Sequence, residues 1–417
     1  MENQGKLSEE LVQNLKRIPK DEQIPIIVRY TPDRRIVRHK GPAMRGVRES
    51  YNYRLKPMVH MHATPEAIHE LEQDPEIVRI YRDQPVRALL DSALPIIQVP
   101  RIELLGLDGQ GMRICIVDTG IDATHPDFQG RIADVADLVG EGPADENGHG
   151  THCAGIAAGS GAASEGRYRG VAPGATIFST KVLRRNGQGM MSDVMAGIDW
   201  AVEQGVQIIS LSLGGSGSSD GDDALSEICD AAVASGVIVC AAAGNEGPSS
   251  RTIGSPGAAR HVITVGASTD EEIIAHFSSR GPTADGRSKP DIVLPGHHVT
   301  AARGAGTAMG VPHDNYYTKA SGTSMATPMA AGLCALLLQK DPTLTPAQVK
   351  EILMHSAVDL GDHPYAQGAG RADAWRALTA EYAPVPAPGE PNPPGSSPRV
   401  GHGCLTAMVR ILLGGRR

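Results

Sequence analysis

Four short strings of the chain carry side chains suited to acyl transfer. Cys115-Ile116-Val117-Asp118-Thr119-Gly120 closes an apolar run with a carboxylate, and a carboxylate at the end of a buried strand needs a partner. In Asn147-Gly148-His149-Gly150-Thr151-His152-Cys153-Ala154-Gly155, glycines on both sides of His149 let other backbone approach closely. Ser321-Gly322-Thr323-Ser324-Met325-Ala326-Thr327-Pro328 runs into a helical stretch at 329–338. It sets a hydroxyl at a helix N-terminus, where the dipole favours developing negative charge. Ala241-Ala242-Ala243-Gly244-Asn245-Glu246-Gly247 ends a buried strand with an amide side chain.

The chemistry requires these types together. A serine hydroxyl is a poor nucleophile at neutral pH unless a base takes its proton as it attacks. Histidine can accept that proton and return it to a leaving amine, and a carboxylate fixes the imidazole tautomer and stabilises the imidazolium. The oxyanion then needs donors, which the Asn245 side chain and the Ser324 N–H can supply.

The surrounding elements are those of an α/β protein. Nearly continuous apolar strands are expected at 112–117, 176–183, 208–213, 237–243 and 262–265, with helical patterns near 149–158, 191–204 and 222–235. Strands apolar on both faces and separated by helices imply a doubly wound, mostly parallel sheet, with its site beyond the C-terminal strand ends. Before it, residues 1–90 read as a small α+β domain. It has a strand at Ile24–Tyr30, another over 51–62, a helix opened by Thr64-Pro65, and a strand at 77–81. This segment holds 16 Lys+Arg and 13 Asp+Glu against a formal net charge of −8 for the whole chain, so it carries +3 and the remainder −11, opposite signs that could attract. Residues 91–382 form the α/β domain. Residues 383–417 are a stiff Pro-rich linker and a short tail bearing Arg399, Arg410, Arg416 and Arg417.

The order Asp118, His149, Ser324, each in its string and with the Asn245 string between, resembles the subtilisin-like serine proteases, or subtilases. The likeness spans about residues 90–380. Arg87-Ala88-Leu89-Leu90-Asp91 and Phe277-Ser278-Ser279-Arg280-Gly281-Pro282 are most similar to the signal-less intracellular-type alkaline proteases of bacilli. The resemblance implies a serine endopeptidase with Asp118, His149 and Ser324 as triad and Asn245 as oxyanion donor. It also implies that the first domain is a propeptide that assists folding and inhibits until Ser324 cuts it away, at a junction between Val86 and Pro100. By the same likeness Gly187-Gln188-Gly189 and Ser210-Leu211-Ser212-Leu213-Gly214-Gly215 flank an extended peptide substrate. Gly254-Ser255-Pro256-Gly257 floors the first specificity pocket, so cleavage is expected after large apolar residues.

Other classes fit less well. The net charge argues against a nucleic-acid partner. No apolar run reaches the ~20 residues of a membrane span, and the polar, acidic start is unlike a secretory signal, so a cytoplasmic location is expected. The six cysteines contain no CxxC pair and read as free thiols, mostly buried. Cys153, one helical turn after His149, is read as a core residue that a mercurial could turn against the histidine. His149 and His152 lack the glutamate and the i, i+4 spacing of a zinc protease, and His297, His298 and His313 read as loop residues. No cofactor is required. Asp127 matches a calcium ligand of secreted relatives, but residues 160–169 lack the asparagine-bearing loop that completes their site, so calcium is possible without being assigned. A catalytically silent binding protein with the same fold, and an esterase, are the competing readings.

Overall fold

The computed structural model describes residues 6–7, 11, 15, 18–31, 46–52, 58–82 and 93–380. The linker and tail expected at 383–417 and the first part of the expected junction, residues 86–92, lie outside these residues. The chain divides into two compact units, Met1–Ala88 and Leu89–Arg417.

The first unit is an antiparallel sheet of β1 (Ile24–Tyr30), β2 (Val47–Asn52), β3 (Met58–Ala63) and β4 (Ile77–Arg82), in the order β2-β3-β1-β4. Along β1 buried and half-buried residues alternate, as a sheet with one covered face requires. Helix α1 (Pro65–Gln73) covers that face with Ala67, Ile68 and Leu71. Its start follows the sequence: Thr64 Oγ1 accepts from Ala67 N and Pro65 occupies the first turn. The single strand expected over 51–62 is in fact two strands, β2 and β3, paired antiparallel with Tyr51 opposite His60. Period-two alternation is the same on either side of a turn, so it does not reveal the reversal.

The second unit is built on a seven-stranded sheet. Its strands are β5 (Arg113–Asp118), β6 (Ile132–Asp137), β7 (Thr176–Lys181), β8 (Ile208–Leu211), β9 (Ile238–Ala242), β10 (Ile263–Ser268) and β11 (Ile292–Pro295). They are ordered β11-β10-β9-β8-β5-β7-β6, and every pair is parallel. Alternate residues of β5 serve different cores. Ile114 and Ile116 pack with helices α2 (His149–Ala158) and α5 (Thr323–Lys340), while Cys115 and Val117 pack with α3 (Met191–Glu203) and α4 (Ala224–Ala234). Both faces are thus covered, and this is why the strands are apolar throughout. A three-stranded sheet of β12 (Val299–Ala302), β13 (Val311–Pro312) and β14 (Tyr317–Ala320) and a helix α6 (Pro346–His355) also belong to the unit. The edge strand β6, with its exposed Ala133 and Asp134, escaped the sequence reading because it lacks a continuous apolar run.

Strand order reverses at β5, which lies between β7 and β8. Asp118 is the last residue of that strand. A crevice opens at such a switch point, so topology alone puts this carboxylate at the expected ligand site.

Candidate active site

Asp118 is fully buried, and its Oδ1 lies 2.7 Å from His149 Nδ1 and accepts from Thr119 N at 2.8 Å. His149 opens α2 directly after Gly148, whose φ of 103° is in the left-handed region that glycine tolerates. Gly150 is required by contact: a Cβ there would overlap the Gly120 carbonyl oxygen. The histidine string therefore closes onto the aspartate string through its glycines.

Ser324 is the second residue of α5, which begins at Thr323 and not at 329 as the sequence suggested. Pro328 lies inside this helix and has no N–H to return to the Ser324 carbonyl. That carbonyl instead accepts from Ser212 Oγ at 2.9 Å and from Cys153 Sγ at 3.4 Å. Cys153 Sγ is also 3.9 Å from His149 Nδ1, so one buried thiol touches both strings. The Ser324 hydroxyl donates to the Ser212 carbonyl at 3.1 Å in this structure. Asn245 is oriented from the far side: its Oδ1 accepts from Thr323 N at 2.9 Å and Thr323 Oγ1 at 3.1 Å, which leaves the Nδ2 end to donate. Thr323 was not singled out in the sequence, although its place next to Ser324 was the available signal.

Burial pulls the His149 pKa down, but the Asp118 charge and hydrogen bond outweigh it and hold the imidazole well above its usual range. Burial raises the Cys153 thiol and keeps it neutral. His152, buried and beside His149, is lowered to about 4 and stays uncharged.

Two cavities adjoin these groups. One of about 580 Å³ is lined by His149, Gly187, Gln188, Gly189, Ser212, Leu213 and Gly214, together with Met190, Met191, Val194 and Leu225, which the sequence reading omitted. The other, about 230 Å³, is lined by Ser212, Leu213, Gly214, Asn245, Gly254 and Ser324. Ser210 and Leu211, expected at the substrate, are buried within β8 and line neither cavity. The cavity-lining stretch begins at Ser212, because alternate side chains of a central strand point into one core or the other.

Asp127 is fully buried, and both its oxygens accept from the Tyr317 hydroxyl at 3.0 Å, with Ala163 N donating to Oδ1 at 3.1 Å. The Tyr317 hydroxyl and the Ala163 N–H are thus the donors that this buried carboxylate meets. Among the described residues the one metal-competent cluster is Asp118, His149 and Cys153, where Asp118 and His149 are already bonded to each other.

The profile of the subtilase family matches residues 109–373, more than half of the chain. The chain belongs to the subtilase family. It is 41% identical over 347 residues to serine protease AprX of Bacillus subtilis (strain 168), covering 76% of this chain and 78% of that protein. It is 36% identical over 306 residues to subtilisin E of the same organism, covering 72% and 75%. Among solved structures it is similar to a cold adapted subtilisin-like serine proteinase, with a TM-score of 0.52 and 33% identity over 64% of this chain and 88% of that one. This subtilase is accordingly a serine endopeptidase of subtilisin-like fold. No helix among the described residues is long and apolar enough to cross a membrane.

Proposed function

We propose that this subtilase cleaves polypeptides through an acyl-enzyme intermediate, with Ser324 as nucleophile, His149 as base and Asp118 as its partner. The observation that carries the assignment is the 2.7 Å contact of Asp118 with His149, joined to the Ser324 backbone through Cys153. Ser324 Oγ attacks the scissile carbonyl carbon and its proton passes to His149 Nε2, while Nδ1–H donates to Asp118. Asn245 Nδ2 and the Ser324 N–H donate to the oxyanion. His149 then protonates the leaving amine, and water releases the acyl group by the same steps in reverse. Gly254 and its neighbours take a large apolar side chain before the scissile bond. The five described cysteines are free, in keeping with a reducing, cytoplasmic setting.

The protein is made as a precursor whose first unit serves as a propeptide, and Ser324 cuts the connection. The antiparallel sheet of that unit and its helix α1, on a segment of opposite charge balance to the remainder, support this reading. Mass spectrometry of the purified protein with and without Ser324→Ala tests it. The variant is expected to remain full-length and to resist an organofluorophosphonate that labels the parent. A Ser324→Ala protein that still processes itself in pure form refutes autocatalysis.

A further inference from the structure

A second aspartate joins the two strings that carry Asp118 and His149. Asp145 is 5% exposed, yet its carboxylate accepts five hydrogen bonds. Oδ1 takes Thr119 Oγ1 at 2.9 Å, Asn147 N at 3.0 Å and Gly148 N at 2.7 Å. Oδ2 takes Thr151 N at 2.8 Å and Thr151 Oγ1 at 2.6 Å. The donors come from both sides of the Asp118–His149 contact: Thr119 follows Asp118, while Gly148 and Thr151 bracket His149. The network closes on itself, since Thr119 Oγ1 accepts from Gly150 N at 2.9 Å and Thr151 Oγ1 from Asp122 N at 3.0 Å.

The segment bearing Asp145 is itself held. Lys181, fully buried at the end of β7, donates to the Ala144 carbonyl at 2.9 Å and lies 3.5 Å from Glu146 Oε2. Gly120 lies against the Pro143 carbonyl, where a Cβ would come within 2.7 Å. Every group facing the Asp145 carboxylate is a donor. Asparagine in its place would turn an NH₂ against N–H groups at one oxygen position or the other.

We propose that Asp145 is a positioning residue for the reaction. It fixes the spacing of Asp118 and His149, and its negative charge near the start of α2 adds to that of Asp118 in favouring the imidazolium that forms during acyl transfer. The proposal rests on His149 acting as the base. Asp118 contacts the imidazole directly, and Asp145 is joined to the same histidine through the N–H groups of Gly148 and Thr151 on either side of it.

The test compares kcat, KM and the pH dependence of kcat/KM in Asp145→Asn, Thr151→Val, Thr151→Ser and His149→Ala. Asp145→Asn is expected to lower kcat by roughly 10- to 100-fold, to leave KM within about twofold, and to move the acid limb to lower pH because a charge favouring imidazolium is gone. Thr151→Val removes one of the five donors and lowers kcat less, in the same direction. Thr151→Ser keeps the hydroxyl and recovers the parent kcat. If Asp145→Asn is too unstable to assay, the Thr151 pair decides alone. An unmoved acid limb, or a loss of kcat that only tracks the unfolded fraction, overturns the proposal. So does equal activity of Thr151→Val and Thr151→Ser. Activity retained in His149→Ala would instead overturn the assignment of the base, and this proposal with it; an inactive His149→Ala beside a fully active Asp145→Asn overturns the proposal alone.

Discussion

The Ser324 carbonyl accepts the Ser212 hydroxyl at 2.9 Å because Pro328, four residues on, has no N–H to offer it. A proline that would break an ordinary helix here frees an acceptor, and the acceptor ties Ser324 to the strand β8 side of the cleft. Ser212→Ala leaves the carbonyl with only the weak Cys153 thiol donor. The expected outcome is a loss of about 1 kcal/mol of stability in urea titration and a several-fold fall in kcat.

Cys153 Sγ lies 3.9 Å from His149 Nδ1 and 3.4 Å from the Ser324 carbonyl, which leaves no room for a substituent. Mercurial modification is therefore expected to abolish peptidase activity in the parent and to leave Cys153→Ala unaffected. The thiol is fully buried, so inactivation should be slow. Stoichiometric labelling of Cys153 with full activity would disprove the link.

Asp118 holds the His149 pKa above its ordinary range against the opposing pull of burial. Only neutral imidazole accepts the serine proton, so the acid limb of kcat/KM is expected above the usual histidine value of about 6.5. Asp118→Asn should move that limb down and cut kcat by on the order of 10⁴-fold. The linkage to stability runs the other way. The pair's contribution is complete below about pH 6.5 and is lost as pH rises through the folded-state value. Activity and stability measured across pH on one preparation check both signs.

The Tyr317 hydroxyl donates to both oxygens of Asp127, across 190 residues of sequence. Tyr317→Phe leaves this fully buried carboxylate with the Ala163 N–H but without the hydroxyl donor, and should cost about 1–3 kcal/mol, seen as a lower melting temperature. EDTA should leave the parent's melting temperature unmoved. A fall on chelation would show that calcium supports the fold.

A Cβ on Gly254 would overlap the Gly215 carbonyl and lie 3.2 Å from that of Gly217. Gly254→Ala should thus push on the wall of the 230 Å³ cavity. Among peptides with Phe, Leu, Lys or Glu before the scissile bond, the parent should prefer Phe and Leu. The variant should lose roughly tenfold in kcat/KM for Phe and less for a small residue. Parent preference for Lys or Glu would contradict the apolar assignment.

Much of this molecule was written in local pattern. Strands apolar on both faces announced a sheet covered on both sides, and Ile114 and Cys115 indeed feed different cores. Thr64-Pro65 marked a helix start because a cap acts within four residues. The strings around Asp118, His149, Asn245 and Ser324 were legible because each packs its chemistry into a few adjacent positions.

Other features had no local signature. Thr323 turns Asn245 across 78 residues, Lys181 holds Ala144 across 37, and Tyr317 of β14 meets Asp127 across 190. The reversal between β2 and β3 and the early start of α5 were likewise settled by pairing and packing. Propensity and periodicity report on neighbours along the chain. Hydrogen bonds between distant segments exist only once the sheet order has brought its strand ends together, so tertiary structure alone decided how the reactive groups are aimed.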